Sequence, residues 1–381
     1  MAELAQGVAL AFAVLCFGGI VYQLAAARLV RRFARQAPAV LAHRPPLTVL
    51  KPLCGAEPGL EDNLRDLCRQ DYPRFQVVFG LRDWDDPALA TVHQISASLP
   101  DADIAVVVDP RPRGCNLKVG NLLSMLSRAR HDVLVIADSD VRVPPRHLDD
   151  VVAPLADPAV GLVTCLYVGR PSGGVWSSLG ALGVNHGFLP SALVARALGR
   201  RDGCFGATMA LSRRLLDAIG GLEPLRDTLA DDWSLGAAVR AAGYEIALAT
   251  RPVEVVVAEP SLRSLWAHEI RWGRTVAAVD RSGYIASVLT QPAALAALAA
   301  VVGGTSFLPL LALAAAVRLW AVRDEERSLG LQRSPVAMLL LREALSLAVF
   351  AVACCGRSVW WRGKRFRIRR DGTMEWTQGT P

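Results

Sequence analysis

The sequence predicts an α/β protein with a doubly wound, mostly parallel sheet, flanked at both ends of the chain by apolar segments. In the central part, short apolar runs alternate with segments of helical spacing, and the connections between them are short. The run Val133 to Ala137 is rich in β-branched residues and contains no polar one, as is typical of a strand buried on both faces. Outside this part lie uncharged stretches long enough to cross a bilayer as helices.

The charge and the hydropathy of the chain together indicate a membrane protein. The 381 residues carry a formal net charge of +7 and have a mean hydropathy of +0.31. A soluble enzyme seldom combines the two properties, whereas a membrane protein whose basic residues face anionic lipid or a phosphorylated substrate does. We therefore expect the lipid bilayer as a partner, and no nucleic acid.

An N-terminal transmembrane anchor is predicted at residues 4–27, which carry no charge. Four arginines follow within residues 28–35, so the positive-inside rule places the N-terminus outside and the next domain in the cytosol. A cleaved signal peptide is disfavoured because the basic cluster comes after the apolar run. The eight cysteines form no C-x-x-C pair and no metal-ligand cluster, which agrees with a reduced, cytosolic domain.

The predicted catalytic domain covers residues 44–280. Apolar runs in it predict strands at Leu47–Leu50, Phe75–Leu81, Ile104–Val108, Val133–Ala137, Val160–Tyr167 and Gly206–Leu211. Helical spacing or helix-start signals predict helices at 60–68, 231–242 and 264–275, and through Asn121 and Leu126. Residues 173–198 are weakly polar and either lie near the membrane surface or form an ordinary core helix pair.

A C-terminal membrane region is predicted at residues 284–356, followed by a basic cytosolic tail at 357–381. The uncharged run 284–317 is too long for one untilted span, and Gly303, Gly304 and Pro309 are possible breaks in it. A cytosolic tail favours an even number of crossings. We expect one crossing near 284–317 and one near 335–355, where Arg342 and Glu343 can form ion pairs within a bundle.

Two carboxylates directly after the central strand, Asp138 and Asp140, form a candidate metal site. Open α/β sheets bind ligands at the carboxyl ends of their strands. Hard oxygen donors at this spacing suit a divalent cation that keeps its other coordination positions for water and phosphate. The alternative is a solvated acidic turn, since Asp and Ser are also common loop residues.

Three more groups carry charges that fit the same chemistry: Asp83, the pair Asp231-Asp232, and the motif His268-x-x-Arg271-Trp272. Each has a structural alternative. Asp231 is suited to cap a helix, with Asp232 in its first turn. Arg271 and Trp272 suit an interfacial membrane anchor, and Asp83 suits a plain loop.

Separated acidic positions followed by x-x-Arg-Trp resemble the pattern of processive and lipid-linked glycosyltransferases of the GT-A fold. Longer motifs resemble the ceramide glucosyltransferase family: Leu50-Lys-Pro-Leu-Cys-Gly55, Asp71-Tyr-Pro73, Asp83-Trp-Asp-Asp-Pro-Ala88, Asn116-x-Lys118-x-x-Asn121-Leu122, Leu229-Ala-Asp-Asp232 and Trp361-Arg-Gly-Lys-Arg-Phe366. Within that family, Cys54-Gly-Ala-Glu-Pro58, Gly161-Leu-Val-Thr-Cys-Leu166 and Phe205-Gly-Ala-Thr208 are most similar to the bacterial hopanoid-biosynthesis branch.

The resemblance implies a role for each motif residue. It makes Asp232 the general base that takes the proton of the attacking alcohol, with Asp231 beside it to raise the Asp232 pKa. It also implies that Arg271 and Trp272 are catalytic residues. It implies Mg²⁺ or Mn²⁺ on Asp138 and Asp140. The donor-binding residues that it implies are Asp83, Lys118, Asn121, Asp138 and His268. One position departs from the family pattern. The last motif of the family usually begins with Gln or Arg, and in this chain that position is His268.

The resemblance also implies a function. The expected enzyme is an inverting glycosyltransferase of a bacterial inner membrane, with its catalytic domain in the cytoplasm and a UDP-sugar as donor. The acceptor that we expect is the hydroxyl of a membrane lipid, best a bacteriohopanetetrol-type hopanoid receiving N-acetylglucosamine from UDP-GlcNAc. The alternatives are a ceramide glucosyltransferase using UDP-glucose and a non-catalytic membrane scaffold with the same fold.

Overall fold

A seven-stranded sheet organises the catalytic part of the chain. The structure, a computed structural model, describes residues 2–38, 41, 43–356, 358–361, 364–369 and 373–376. Its strands are β1 Leu47–Pro52, β2 Phe75–Leu81, β3 Ile104–Val108, β4 Val133–Ala137, β5 Val141–Arg142, β6 Val160–Thr164, β7 Tyr167–Pro171, β8 Thr208–Ser212, β9 Glu245–Leu248, β10 Val253–Val257, β11 Ser358–Trp361, β12 Lys364–Ile368 and β13 Met374–Trp376.

Helices cover both faces of the sheet and extend beyond it at both ends of the chain. They are α1 Ala2–Ala34, α2 Leu60–Cys68, α3 Ala88–Ser98, α4 Leu117–Met125, α5 His147–Val152, α6 Gly174–Gly183, α7 Leu189–Ala197, α8 Arg213–Ala218, α9 Asp231–Ala241, α10 Leu262–Val279, α11 Arg281–Ala286, α12 Pro292–Gly303, α13 Leu308–Leu329 and α14 Val336–Cys354. A π-helical turn, Val184–Phe188, joins α6 to α7.

The main sheet has the strand order β3-β2-β1-β4-β8-β6-β9. The pairs β3-β2, β2-β1, β1-β4 and β6-β9 are parallel, whereas β8 runs antiparallel to both of its neighbours. Smaller sheets have the orders β5-β10-β7 and β11-β12-β13. The predicted α/β fold with a mostly parallel, GT-A-type sheet is confirmed.

The central strand β4 is buried on both faces, as predicted. Its side chains alternate between two apolar cores: Val135 and Ala137 face the core beneath α2, α3 and α5, and Leu134 and Ile136 face the core beneath α4, α8 and α9. This burial places the end of β4, and the carboxylates after it, at the middle of one edge of the sheet.

The predicted strand Val160–Tyr167 was wrong as a single element. The chain leaves the main sheet after Thr164 and enters the second sheet at Tyr167. The Thr164 hydroxyl donates to the Phe205 carbonyl and accepts from the Phe205 amide, at 2.8 and 2.7 Å. These bonds fix the point at which the chain turns away, and they depend on a partner 41 residues further along the sequence.

Helices long and apolar enough to cross a membrane lie at both ends of the described chain. They are Ala2–Ala34, Thr305–Leu329 and Val336–Cys354, and a bent pair with an angle of 74°, Arg281–Thr290 and Pro292–Gly303, could supply a fourth. The run 284–317 is therefore not one helix. Gly304, at φ +86°, is one of its breaks, as predicted. Pro309 is not, because it lies in the first turn of α13, where proline is tolerated.

Polar side chains join the apolar helices to one another. On α13, Arg318 donates to Glu343 of α14 at 2.7 Å and to Gln23 of α1 at 3.0 Å. His186 Nδ1 lies 2.6 Å from Glu325 on α13, in a fully buried contact. The structural role expected for a buried histidine fits His186.

Of the predicted tail, residues 357, 362, 363, 370–372 and 377–381 lie outside the described residues. The described part is a three-stranded antiparallel sheet that packs on the rest of the chain. Val359, Phe366, Ile368 and Met374 form an apolar cluster with Leu229.

Candidate active site

The turn after β4 carries Asp138 and Asp140 and is held from beneath by a buried lysine. Lys51, at the end of β1, donates to the carbonyl oxygens of Asp138 and Val141, at 2.7 and 3.2 Å. Burial lowers the Lys51 pKa to about 8, although neighbouring carboxylates oppose the shift. The sequence analysis gave Lys51 no role of its own, although Lys51 lies in the motif Leu50-Lys-Pro-Leu-Cys-Gly55 at the end of an otherwise apolar strand.

The same turn is fixed from the side by the segment that leads into α2. The Ser139 hydroxyl donates to Glu57 at 2.6 Å, and the Asn63 amide donates to the Ser139 carbonyl at 3.2 Å. Burial raises the Asp140 pKa to about 7, and the charges of Asp138 and Glu57 add to the shift. The positive charges of Lys51 and Lys118 oppose this shift but do not outweigh it.

Lys118 connects this turn to the start of α9. The Asn116 side chain caps α4 by accepting from the amides of Lys118 and Val119, and this cap directs Lys118 toward the site. Lys118 Nζ lies 2.6 Å from Asp138 and 3.6 Å from Asp231. Burial opposes the Lys118 charge, but these carboxylates outweigh burial and raise the pKa of the lysine above its ordinary value.

Asp231 and Asp232 open α9, and neither is its N-cap. The capping position is Ala230, which makes no side-chain cap. Asp231 instead accepts from the Asn116 amide at 3.2 Å. Asp232 Oδ1 accepts from the Trp233 amide at 2.7 Å. Burial and the charge of Asp231 raise the Asp232 pKa to about 6, which is a suitable value for a general base near neutral pH.

Gly206 lies beside Asp232 and Lys118. A Cβ built on it would lie 3.2 Å from Asp232 Oδ2 and 3.4 Å from Lys118 Nζ. A side chain at this position would therefore press on the Asp232 carboxylate, which would have to shift by a few tenths of an ångström, and would touch Lys118 at an ordinary contact distance.

The third motif lies on α10. His268 Nδ1 is 2.6 Å from Glu259, and the His268 ring packs edge-on against Trp272 with ring centroids 4.4 Å apart. Burial would raise the Glu259 pKa, but hydrogen bonds with His268 and Ser264 outweigh it and lower the pKa. Arg271 is near enough for its charge to act on Glu259 and on Tyr167. Glu259 is thus a partner of the motif that the sequence analysis missed.

Two residues predicted to bind the donor lie apart from these contacts. Asp83 is exposed in the loop after β2 and accepts from the Asp85 amide at 3.0 Å. Asn121 is buried and donates to the Gly80 carbonyl at 2.8 Å, so it fastens the end of β2 to α4. Contact of either with a donor stays a prediction.

Among the residues that the structure describes, no group of three or more His, Cys, Asp or Glu side chains could hold a metal ion. The predicted metal ligands are two carboxylates, and one of them already pairs with Lys118. Their chemistry still fits a divalent cation: burial raises the pKa of Asp138 as well as that of Asp140, so a cation would relieve repulsion between them.

Comparison with known proteins identifies the family. The model of glycosyl transferase family 21 matches residues 11–374. The chain belongs to glycosyl transferase family 21. The predicted ceramide glucosyltransferase-like family and the predicted glycosyltransferase activity are therefore confirmed.

Relatives of this family 21 chain are similar over much of its length. Ceramide glucosyltransferase 1 of Caenorhabditis elegans is 23% identical over 345 residues, which cover 87% of this chain and 73% of the relative. Ceramide glucosyltransferase 3 of the same organism is 21% identical over 237 residues, or 60% of this chain and 50% of the relative. A mannosyltransferase of Pyrobaculum calidifontis, solved with GDP-Man and Mn²⁺, shares the fold: its TM-score is 0.53 at 23% identity, with 92% of this chain and 98% of that chain covered.

An aromatic residue that the sequence analysis did not propose for the site, Tyr167, lies near the acidic residues of this family 21 enzyme. Burial raises the Tyr167 pKa, and the charges of Asp232, Asp140 and Asp138 are near enough to add to the shift. Its ring stacks on Phe188 with centroids 4.4 Å apart. Tyr167 is the first residue of β7, in the second sheet. The prediction of one strand over 160–167 placed it at the end of the main-sheet strand instead.

Proposed function

We propose that this family 21 enzyme transfers a sugar from a UDP donor to the hydroxyl of a membrane lipid, with inversion at the anomeric carbon. The observation that supports it best is the pair of carboxylates at the start of α9. Asp232 has a pKa of about 6 and lies beside Gly206, while Lys118 supplies one positive charge shared by Asp138 and Asp231. Such a base takes the proton of an attacking alcohol near neutral pH.

The other side chains act on the donor. Arg271 contributes a guanidinium suited to two parallel contacts with a diphosphate. Trp272, with 37% of its surface exposed, can cover the sugar or the lipid entrance. Lys118 is a cation for the donor phosphates. A Mg²⁺ or Mn²⁺ on Asp138 and Asp140 would neutralise charge that develops on the leaving diphosphate.

In this proposal the base lies on the acceptor side of the anomeric carbon, opposite the leaving diphosphate. That arrangement permits one in-line displacement, so a UDP-α-sugar gives a β-linked product. Nuclear magnetic resonance of the anomeric proton distinguishes the two outcomes. An α-linked product would contradict both the displacement and the role of Asp232.

The acceptor that we propose first is a bacteriohopanetetrol-type hopanoid, with N-acetylglucosamine from UDP-GlcNAc as the sugar. Support comes from the motifs Cys54–Pro58, Gly161–Leu166 and Phe205–Thr208, which resemble the hopanoid branch. A second candidate, ceramide with UDP-glucose, is favoured by the names of the Caenorhabditis elegans relatives.

The enzyme that we propose resides in a bacterial inner membrane with its catalytic domain in the cytoplasm. Support comes from the basic cluster Arg28, Arg31, Arg32 and Arg35, which follows the first apolar helix. The domain limits 4–27, 44–280, 284–356 and 357–381 belong to the same proposal.

Turnover of the purified full-length enzyme tests the function. UDP-sugars are offered in turn with hopanoid and sphingoid lipid extracts, and products are read by mass spectrometry, with Asp232→Asn as the inactive control. We expect N-acetylhexosamine added to a hopanoid. A hexosylceramide supports the second candidate, and binding of UDP-sugars without any product supports a non-catalytic scaffold and contradicts the proposal.

A further inference from the structure

Helix α14 is long and apolar enough to cross a membrane, yet it is attached to the catalytic domain near both of its ends. Near its start, Arg342 forms a two-pronged ion pair with Glu269 of α10 and donates to the Leu179 carbonyl of α6 at 3.2 Å. Near its end, Val349 and Ala353 pack with Ile270 of α10. The helix therefore lies alongside α10 rather than extending away from it.

The spacing of these contacts restricts the direction of α14. The Arg274 guanidinium, on α10, lies 3.5 Å from the Val352 carbonyl. Residues 342 and 352 are about 15 Å apart along α14, and their partners 269 and 274 are about 7.5 Å apart along α10. A spanning α14 would have to carry its end about 28 Å to the far side of the bilayer. The chain's own contacts keep that end at α10.

After α14 the chain returns directly to the active site. Arg274 also donates to the Ser358 carbonyl at the start of β11. On β13, the Met374 amide donates to the Asp227 carbonyl at 2.9 Å, four residues before Asp231. Both ends of α14 thus face the same side as the catalytic carboxylates.

The outer face of α14 is apolar throughout its length. Exposed positions recur every three or four residues at 336, 337, 340, 341, 344, 348, 351, 352 and 354, and all of them are Val, Leu or Ala except Cys354 in the last turn. Arg342 and Glu343 are buried on the opposite face, against protein. The outer face of α14 therefore offers only apolar side chains to lipid, while its two charged residues stay in contact with protein.

We propose that α14 lies flat in the bilayer surface on the side of the catalytic domain, where it forms with α10 a two-helix platform bound to lipid. The crossings after the catalytic domain are made by the bent pair Arg281–Thr290 and Pro292–Gly303 and by α13. Both run beside α1: Gly19 lies against Pro292 of α12, and Cys16 packs in one cluster with Ala314 of α13. The platform keeps Arg271 and Trp272 at the depth at which a lipid hydroxyl meets water. This inference does not depend on the donor or acceptor proposed above.

The orientation of α14 is tested by finding on which side of the membrane Gln332 and Glu375 lie. Both residues are exposed, and they come before and after α14 in the chain. They are on opposite sides of the membrane if α14 spans it and on the same side if it lies flat. Gln332 and Glu375 are replaced by cysteine, one at a time, in the full-length chain. In this background the exposed residues Cys54, Cys354 and Cys355 are changed to serine. A membrane-impermeant maleimide is applied to right-side-out and to inverted vesicles. Two further variants serve as controls, because their positions lie beyond the two ends of the apolar part of α1. Gln36→Cys reports the cytosolic side of the membrane, and Glu3→Cys reports the outer side.

We expect Gln332→Cys and Glu375→Cys to label together with Gln36→Cys, in inverted vesicles. Labelling of the two positions from opposite sides would overturn the proposal, and so would a Gln332 or Glu375 thiol that reacts only after detergent is added. The measurement needs no substrate, so its result stands whether or not the proposed transfer reaction is found.

Discussion

Lys118 Nζ lies 2.6 Å from the Asp138 carboxylate and 3.6 Å from that of Asp231. One side chain therefore joins the turn after β4 to the start of α9. Of the carboxylates gathered here, Asp140 and Asp232 receive no such ion pair, and burial raises the pKa of both. The charge distribution separates two carboxylates that share the Lys118 charge, Asp138 and Asp231, from two that have no such ion pair, Asp140 and Asp232.

Loss of the Lys118 charge should disable the site more than it disturbs the fold. Lys118→Met removes charge-assisted contacts worth about 1.5–3 kcal/mol, which corresponds to a roughly tenfold to hundredfold loss of kcat/KM. Lys118→Arg keeps the charge and is the control, with a smaller loss expected. Steady-state transfer kinetics measure both. Equal activity of Lys118→Met and the unchanged enzyme would show that the contact is not used.

The two predicted metal ligands should respond differently to neutralisation. Asp140→Asn removes a repelling carboxylate, so we expect an unchanged or higher Tm together with a loss of most activity. Asp138→Asn removes the partner of Lys118, so we expect a lower Tm and the same loss of activity. Thermal unfolding and turnover, each with and without EDTA, give the comparison. Turnover that survives EDTA and both substitutions would exclude a metal at this site.

Transfer should be lost in mild acid. The pKa of Asp232 is raised to about 6, and the base is active only when deprotonated, so the rate falls as pH falls through about 6. The fall in rate is measured as the acidic limb of the pH profile of kcat/KM. Asp231→Asn should move the limb to lower pH, because removal of the neighbouring charge lowers the Asp232 pKa. A profile that is flat across this range would contradict Asp232 as the base.

Gly206→Ala tests the space in front of the base. The added methyl group would lie 3.2 Å from Asp232 Oδ2, so the carboxylate must shift, and a roughly tenfold to hundredfold loss of transfer is expected. Gly187→Ala is the matched control, since a Cβ there meets nothing within 4 Å. A Gly206→Ala enzyme as active as the control would mean that Asp232 does not act through this opening.

Local patterns were sufficient for much of the sheet. The strands β1 to β4 follow from apolar runs, and β4 in particular alternates between two cores, so a run without polar residues described it correctly. The motifs that place Asp138, Lys118 and Asp231 at one edge also come from sequence. Strand-end positions in an alternating fold converge there by topology alone.

Contacts between distant parts of the chain could not be predicted in this way. Lys51 reaches a turn 87 residues away, and Thr164 ends its strand by binding Phe205. The break at Gly304 was predictable because glycine tolerates its positive φ, but the pairing of Arg342 with Glu269 was not. Hydropathy reports that a helix such as α14 is apolar, and only its partners reveal its direction.

The central claim is that Asp232 takes the proton of the acceptor hydroxyl, and Asp232→Asn tests it most directly. Asparagine keeps the shape of the side chain and removes its basicity. We predict UDP-sugar binding, measured by titration calorimetry, that is nearly unchanged, and a transfer rate lower by a factor of roughly 10²–10⁴, the usual contribution of a general base. An Asp232→Asn enzyme that binds the donor and transfers at the full rate would contradict the claim.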